Sequence, residues 1–163
     1  MENGSDDFDL NGFLPYLLNQ AAEAASESFR TVYRAAYGMT RTQWRVLAHL
    51  GRFGAMTAKE ICAASHTEKT KVSRAVAALE AAGWLSRQTS AQDRRAEILS
   101  LTAQGQAVYA DLGRRAQDHD CALRARLGPG IAAQLDDLLR RIIAERPRTG
   151  EDDHEACKTP RSI

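Results

Sequence analysis

A short stretch in the middle of the chain concentrates side chains that can hydrogen-bond to phosphates and to base edges. After Thr67 it contains Lys69, Thr70, Ser73 and Arg74, with Lys71 flanking them. In a helix these residues lie opposite an apolar face made of Val72, Ala75, Val76 and Leu79. Lysine and arginine donate to phosphates and can also read guanine edges in a DNA major groove. The pattern favours nucleic-acid binding, and a solvated face on an ordinary helix is the alternative.

A second basic feature lies in a polar loop, residues 89–96, between two short segments rich in apolar and β-forming residues. Arg94 and Arg95 stand at the expected tip of this loop, and arginines on a thin loop suit the narrow, electronegative minor groove of DNA. Arg87, on the strand that leads into the loop, is a further candidate DNA contact. Asp93 would repel phosphate, so we expect it to orient an arginine through a charge-assisted hydrogen bond.

Apolar spacing predicts the elements that must position these features. Thr40-Arg-Thr-Gln43 and Thr57-Ala-Lys-Glu60 have the form of capping boxes, which predicts helices over about 41–52 and 58–64. A third short helix is expected to start at Thr67 and to end before Gly83. The segments after Gly83 have the pattern of a two-stranded hairpin. This order predicts a winged helix-turn-helix lobe at about 40–101 in a fold that is mainly α, with a small β-hairpin wing.

Three longer helices are expected outside that lobe, at about 12–36, 102–126 and 131–145. Thr102 is expected to cap the second of them, and Gly128-Pro129-Gly130 separates the second from the third. The last helix has a wide apolar face, more than one monomer needs to bury. We therefore interpret these three helices as a dimerisation region, and residues 10–146 as a single domain.

The charge of the chain is unevenly distributed. Residues 1–9 carry four acidic residues and no base, residues 147–163 carry a net charge of −1, and residues 10–146 carry a surplus of six positive charges. We expect both termini to be disordered. The chain lacks an apolar run of the roughly 18 residues needed to span a bilayer, and its acidic start is unlike a secretory signal. These features favour a cytoplasmic protein without a membrane partner.

The stretch Asp93-Arg-Arg-Ala-Glu-Ile-Leu-Ser-Leu-Thr-Ala-Gln-Gly105 fits the pattern D-x-R-x5-L-T-x-x-G of the MarR family of bacterial transcriptional regulators. Residues 76–87 and the Thr-x-x-Gln-Trp-x-x-Leu of residues 40–47 also resemble that family. The resemblance covers about residues 10–146. It implies a homodimer that binds a palindromic site on double-stranded DNA, usually as a repressor, and is nucleoid-associated when bound. It further implies that Arg95 and Arg94 reach the minor groove, while residues 67–74 read the major groove.

Many members of the family release DNA when a small, often aromatic, effector binds beside the dimerisation helices. The residues that we expect to line such a site combine aromatic walls with polar anchors: Tyr16, Asn19, Phe29, Tyr33, Trp44, Arg45 and His49. An aromatic acid or its coenzyme A thioester is the expected ligand class. For Phe29, Tyr33 and Trp44 a place in the hydrophobic core is the competing interpretation.

Other function classes have weaker support. The chain has no catalytic motif such as G-x-S-x-G or a phosphate loop, so we expect no enzyme activity, no catalytic residue and no cofactor. A redox-responsive or metal-responsive regulator of the same fold is an alternative, although Cys62, Cys121 and Cys157 form no paired metal-ligand motif and we expect no metal site. A DNA-independent dimeric interaction protein is the alternative from another class, but it leaves the basic loop without a purpose.

Overall fold

The computed structural model describes residues 8–89 and 97–145. A 3-10 turn, Leu10–Gly12, precedes six helices and three strands within these residues. The elements are, in chain order, α1 Leu14–Tyr37, α2 Arg41–Phe53, β1 Met56–Thr57, α3 Ala58–Ser65, α4 Lys69–Ala81, β2 Leu85–Thr89, β3 Glu97–Leu101, α5 Ala103–Leu127 and α6 Pro129–Ala144. The predicted class, mainly helical with a small β wing, is confirmed.

Local chemistry sets most of these boundaries. The backbone N–H of Gln43 donates to Thr40 Oγ1, and Gln43 Oε1 accepts from the backbone N–H of Thr40 at 2.7 Å. Thr57 and Glu60 form the same reciprocal pair at the start of α3. Both capping boxes predicted from the sequence are therefore confirmed. The backbone N–H of Thr57 and then its hydroxyl donate to the Glu60 carboxylate, and they hold the pKa of that carboxyl below its usual range because they favour its ionised form.

Three predicted helix starts differ from the observed starts by two residues. The first helix begins at Leu14 rather than at about residue 12. The fourth helix begins at Lys69 rather than at Thr67, because Thr67 still belongs to the turn that ends α3. The backbone N–H of Thr67 donates to the carbonyl of Cys62, and the Thr67 hydroxyl donates to the carbonyl of Ser65. The last helix begins at Pro129 rather than at residue 131. Proline fits the first helical turn, where its missing N–H has no helical partner to lose.

The strands form one antiparallel sheet in the order β1-β3-β2. In the hairpin Leu85 faces Leu101 and Thr89 faces Glu97, while Met56 of β1 pairs with Leu99. The short strand β1 was not predicted, because two residues carry no periodicity. Its pairing joins the start of α3 to the wing and gives β3 a neighbour on each side.

Two compact units divide the chain, with the boundary between His119 and Asp120 inside α5. The first unit contains a hydrophobic core drawn from every element between α1 and the first half of α5. Its fully buried side chains include Tyr33, Leu47, Leu50, Ile61, Val72, Leu79, Leu99 and Leu112. In the second unit Arg124 forms an ion pair with Asp120 on the same helix and with Asp136 on α6.

None of the helices in the described ranges combines the length and apolar character needed to cross a membrane.

Candidate nucleic-acid interface

The helix α4 separates its side chains into a buried face and an exposed polar face. Val72, Ala75, Val76 and Leu79 are buried in the core, as the sequence predicted. The exposed face carries Lys69, Thr70, Lys71, Ser73 and Arg74. Burial of the apolar face fixes the helix against α2 and α3, so its polar face is presented to solvent on a rigid support.

The turn that leads into α4 is held by backbone geometry. His66 caps α3 with φ +50°, a left-handed conformation that is uncommon for residues other than glycine. The backbone N–H of Thr67 then donates to the Cys62 carbonyl at 3.2 Å. This reversal directs α4 away from α3, which is the arrangement of a helix-turn-helix unit.

The cationic side chains of α4 differ in whether they form an ion pair. Lys71 Nζ lies 3.4 Å from a carboxylate oxygen of Glu68, and both side chains are exposed, so this pair is weak. Lys69 and Arg74 have no ion-pair partner within residues 8–89 and 97–145. Both cations are therefore available to a phosphate or a base edge without first breaking a pair.

The base of the wing contains an arginine that is already paired. Arg87 on β2 donates from Nε to Glu80 of α4 at 2.8 Å and from a terminal nitrogen to Glu97 of β3 at 3.0 Å. The hydrogen bond that Arg87 donates to Glu97, and to a lesser extent the one it donates to Glu80, raises the pKa of the Arg87 guanidinium. Arg87 was predicted to contact DNA, and in the structure it joins α4 to both strands of the wing. The predicted contacts Arg94 and Arg95, and the predicted orienting residue Asp93, lie outside the described residues.

The junction between wing and α5 explains part of the motif recognised in the sequence. Thr102 Oγ1 donates to the carbonyl of Gly83 at 2.7 Å and accepts from the backbone N–H of Gly105 at 3.0 Å. The backbone N–H of Thr102 also donates to the carbonyl of Trp84. A Cβ at position 105 would collide with that same carbonyl. Threonine and glycine at these positions let α5 begin directly against the start of the wing.

The structure divides the predicted effector residues among several places. Phe29 and Tyr33 are buried in the core, where their rings meet edge to face, and burial raises the pKa of the Tyr33 hydroxyl. Trp44 and His49 line a groove between α2 and α5. The other three residues lie elsewhere: Asn19 and Arg45 line a cleft beside the start of α4, and half-buried Tyr16 accepts a hydrogen bond from Gln20.

The groove between α2 and α5 has a volume of about 410 Å³. It is lined by Trp44, His49 and Phe53 from α2 and by Tyr109 from α5. The ring of Phe53 is 65% exposed, which is unusual for a large apolar side chain. Sequence reasoning missed Phe53 and Tyr109 as lining residues. Tyr109 lies on the helix predicted over about 102–126, four residues after Gly105.

The described residues contain no group of three or more His, Cys, Asp or Glu side chains that could hold a metal ion. Cys62 is half-buried and packs against the core, and Cys121 is exposed.

Comparison with known proteins agrees with this geometry. The sequence model of the MarR family matches residues 37–96. The HTH-type transcriptional regulator FarR of Neisseria gonorrhoeae is 27% identical over 125 residues, which cover 77% of this chain and 85% of FarR.

Two solved structures extend the similarity to nearly the whole described chain. A MarR family transcriptional regulator from Silicibacter pomeroyi is 31% identical with a TM-score of 0.74, covering 85% of this chain and 98% of that one. The structure of NadR in complex with 4-hydroxyphenylacetate is 26% identical with a TM-score of 0.69, covering 90% of this chain and all of that one. With its exposed basic helix and adjoining wing, the chain belongs to the MarR family of winged helix-turn-helix, DNA-binding transcriptional regulators.

Proposed function

We propose that this regulator is a homodimeric repressor that binds a palindromic operator and is released by a small aromatic effector. It works in the bacterial cytoplasm, on the nucleoid when bound to DNA. The observation that carries the proposal is the exposed face of α4, where Lys69, Ser73 and Arg74 stand on a helix whose other face is fixed in the core. Such a helix matches the width of a major groove. Arg94 and Arg95 of the wing are proposed to enter the adjoining minor groove.

Exposed apolar side chains at the two ends of the described chain support the homodimer. Near the start, Phe8 and Leu14 are 67% and 57% exposed. On α6, Ile131, Leu138 and Ile143 are 60%, 54% and 70% exposed. Exposed apolar side chains in such number mark an interaction site, and a second copy of the chain would cover them. A dimer presents two copies of α4, which accounts for a palindromic site.

The groove between α2 and α5 supports the aromatic effector. Its rings, Trp44, Phe53 and Tyr109, offer stacking surfaces, and His49 offers a polar contact. The relative NadR has been solved with 4-hydroxyphenylacetate. Because α5 begins against the wing through Thr102, a ligand that widens this groove shifts the wing relative to α2. A ligand that prefers the shifted arrangement lowers DNA affinity by population shift.

Selection of bound fragments from a bacterial genomic library, followed by fluorescence anisotropy at about 150 mM salt, tests the DNA-binding part. We expect a palindromic site, and a loss of about 1–3 kcal/mol in binding free energy for Lys69→Gln or Arg74→Gln if the residue reads a base. Arg34→Gln, an exposed arginine on α1, is the matched control and should bind as the wild type does. Binding without sequence preference would instead favour the DNA-independent interaction protein.

The effector part is tested with 4-hydroxyphenylacetate as the probe. We expect it to raise the melting temperature of the free protein and to weaken operator binding. Phe53→Ser should reduce both effects without harming the fold, because Phe53 is mostly exposed. An equal response in the variant would place the aromatic site elsewhere.

A further inference from the structure

A second cleft lies beside the first turns of α2 and shares no lining residue with the aromatic groove. It has a volume of about 410 Å³, within the range of small-molecule sites. One wall comes from α1 and the start of α2, with Asn19, Arg41, Thr42 and Arg45. The other wall comes from the turn before α4 and its first residues, including Thr67 and Lys71. The cleft therefore touches the helix that carries the DNA-binding face.

The charges around this cleft leave one cation without a counter-charge. Arg41 donates to Glu23 at 2.6 Å and to Ser26 at 2.9 Å, and Lys71 pairs loosely with Glu68. The guanidinium of Arg45 has no ion-pair partner among the residues that the structure describes. Among the Lys, Arg, Asp and Glu side chains of the lining, three cations face two carboxylates, an excess of one positive charge. That balance suits a monoanion better than a dianion.

The remaining lining is mostly polar. Asn19 and Thr42 make no side-chain hydrogen bond within the described chain and can donate or accept. The Thr67 hydroxyl donates to the Ser65 carbonyl at 3.1 Å, so its oxygen still accepts. Ala22 supplies the one purely apolar side chain of the lining. A ligand that fills this space must present hydroxyl groups as well as a negative charge.

We propose that this cleft binds a small hydroxylated monocarboxylate of the sugar-acid type. Arg45 holds the carboxylate through paired N–H donors, a geometry that guanidinium and carboxylate share. Asn19, Thr42 and Thr67 bind the hydroxyl groups. This site is separate from the aromatic groove, so the regulator would respond to a second effector.

Lys71 links the site to DNA binding, and this step rests on the proposed function of α4. The same ammonium group flanks the exposed face of α4 and lines the cleft. A carboxylate in the cleft competes with phosphate for that charge. Occupancy of the cleft therefore weakens operator binding by direct competition, without a change of fold.

Isothermal titration calorimetry on the full chain, without DNA, tests the site with sodium gluconate as the probe. Sorbitol, a polyol with the same number of carbons and no carboxylate, should not bind. Arg45→Gln should weaken gluconate binding about ten-fold or more, because a charge-assisted pair is lost. Asn19→Asp, at an exposed position of α1, should weaken it by charge repulsion, whereas Arg34→Gln should not alter it.

Several results would overturn the proposal. They are the absence of gluconate binding at about 10 mM, sorbitol binding as strongly as gluconate, inorganic phosphate binding more tightly than gluconate, and retained binding in Arg45→Gln. Circular dichroism confirms that each variant is folded before titration.

The competition step is tested by anisotropy with the selected operator, replacing sodium chloride with sodium gluconate at constant ionic strength, because salt alone weakens DNA binding. Gluconate should weaken binding by the wild type but not by Arg45→Gln, and an equal effect on both would refute competition. Failure to bind any operator would refute the proposed function while the calorimetry still decides the cleft. Operator binding without a gluconate signal would refute only the cleft.

Discussion

Replacing Gly105 by alanine should destabilise the protein, although the same change usually stabilises a helix. Gly105 is buried in the first turn of α5, and an added Cβ would meet the carbonyl of Trp84. That carbonyl also accepts the backbone N–H of Thr102 at 3.1 Å. The obstacle is backbone rather than a flexible side chain, so relief requires α5 and the wing to separate.

The magnitude follows from three opposing contributions. Alanine in a helix is favoured over glycine by about 1 kcal/mol. Overpacking by one methyl group costs about 1–3 kcal/mol, and loss of the hydrogen bond between Thr102 and Trp84 costs about 1 kcal/mol more. The net expectation is a loss of about 1–3 kcal/mol in the free energy of unfolding. For a domain of this size that corresponds to a fall in melting temperature of roughly 3–10 °C.

Gly113 on the same helix provides the matched control. A Cβ added there would meet nothing within 4 Å, so Gly113→Ala should stabilise the protein by up to about 1 kcal/mol through helix propensity alone. Urea unfolding and calorimetry on both variants measure whether each change lowers or raises the free energy of unfolding. If Gly105→Ala were as stable as Gly113→Ala, the close contact between α5 and the wing would be refuted.

Three further changes test separate parts of the account. Arg95→Ala should lower operator affinity and reduce the salt slope of log affinity by about 0.9 if this arginine neutralises one phosphate; an unchanged slope in a salt titration would contradict that role. Hydrogen bonding from Tyr37, and then from Arg115, holds the pKa of Asp111 below its ordinary value of 3.8, so its contribution to stability is present above that pH and is lost as the pH falls further. Asp111→Asn should therefore show a shallower loss of stability in acid, measured by urea unfolding between about pH 5 and pH 2, and equal slopes would refute the assignment. Thr40→Ala removes half of a capping box and should cost about 1 kcal/mol in urea unfolding, whereas no loss would mean that Gln43 suffices.

Features that depend on neighbours in sequence could be predicted. The capping boxes at Thr40 and Thr57 need only a residue three positions later, and both are present. The division of α4 into an apolar and a basic face follows from helical periodicity alone. Thr67 was misassigned because its hydrogen bonds go back to α3 rather than forward, and that preference is not visible in the residue types.

Features that depend on packing between distant elements could not be predicted. In the sequence Arg87 has the pattern of an unpaired cation, because Glu80 and Glu97 come beside it only in the folded chain. Trp44 and Arg45 are adjacent in sequence and were assigned to one effector site. Helical geometry directs them to different sides of α2, so they line two separate cavities.

Directed cleavage of DNA from α4 tests the central claim most directly. Ser73→Cys, on the exposed face of α4, can carry an iron chelate that cuts nearby DNA, in a background with Cys62→Ala, Cys121→Ser and Cys157→Ser. With the selected operator, the account predicts two clusters of cuts separated by about one helical turn or a multiple of it. Operator binding without cuts above those of the unlabelled protein would show that another surface holds the DNA.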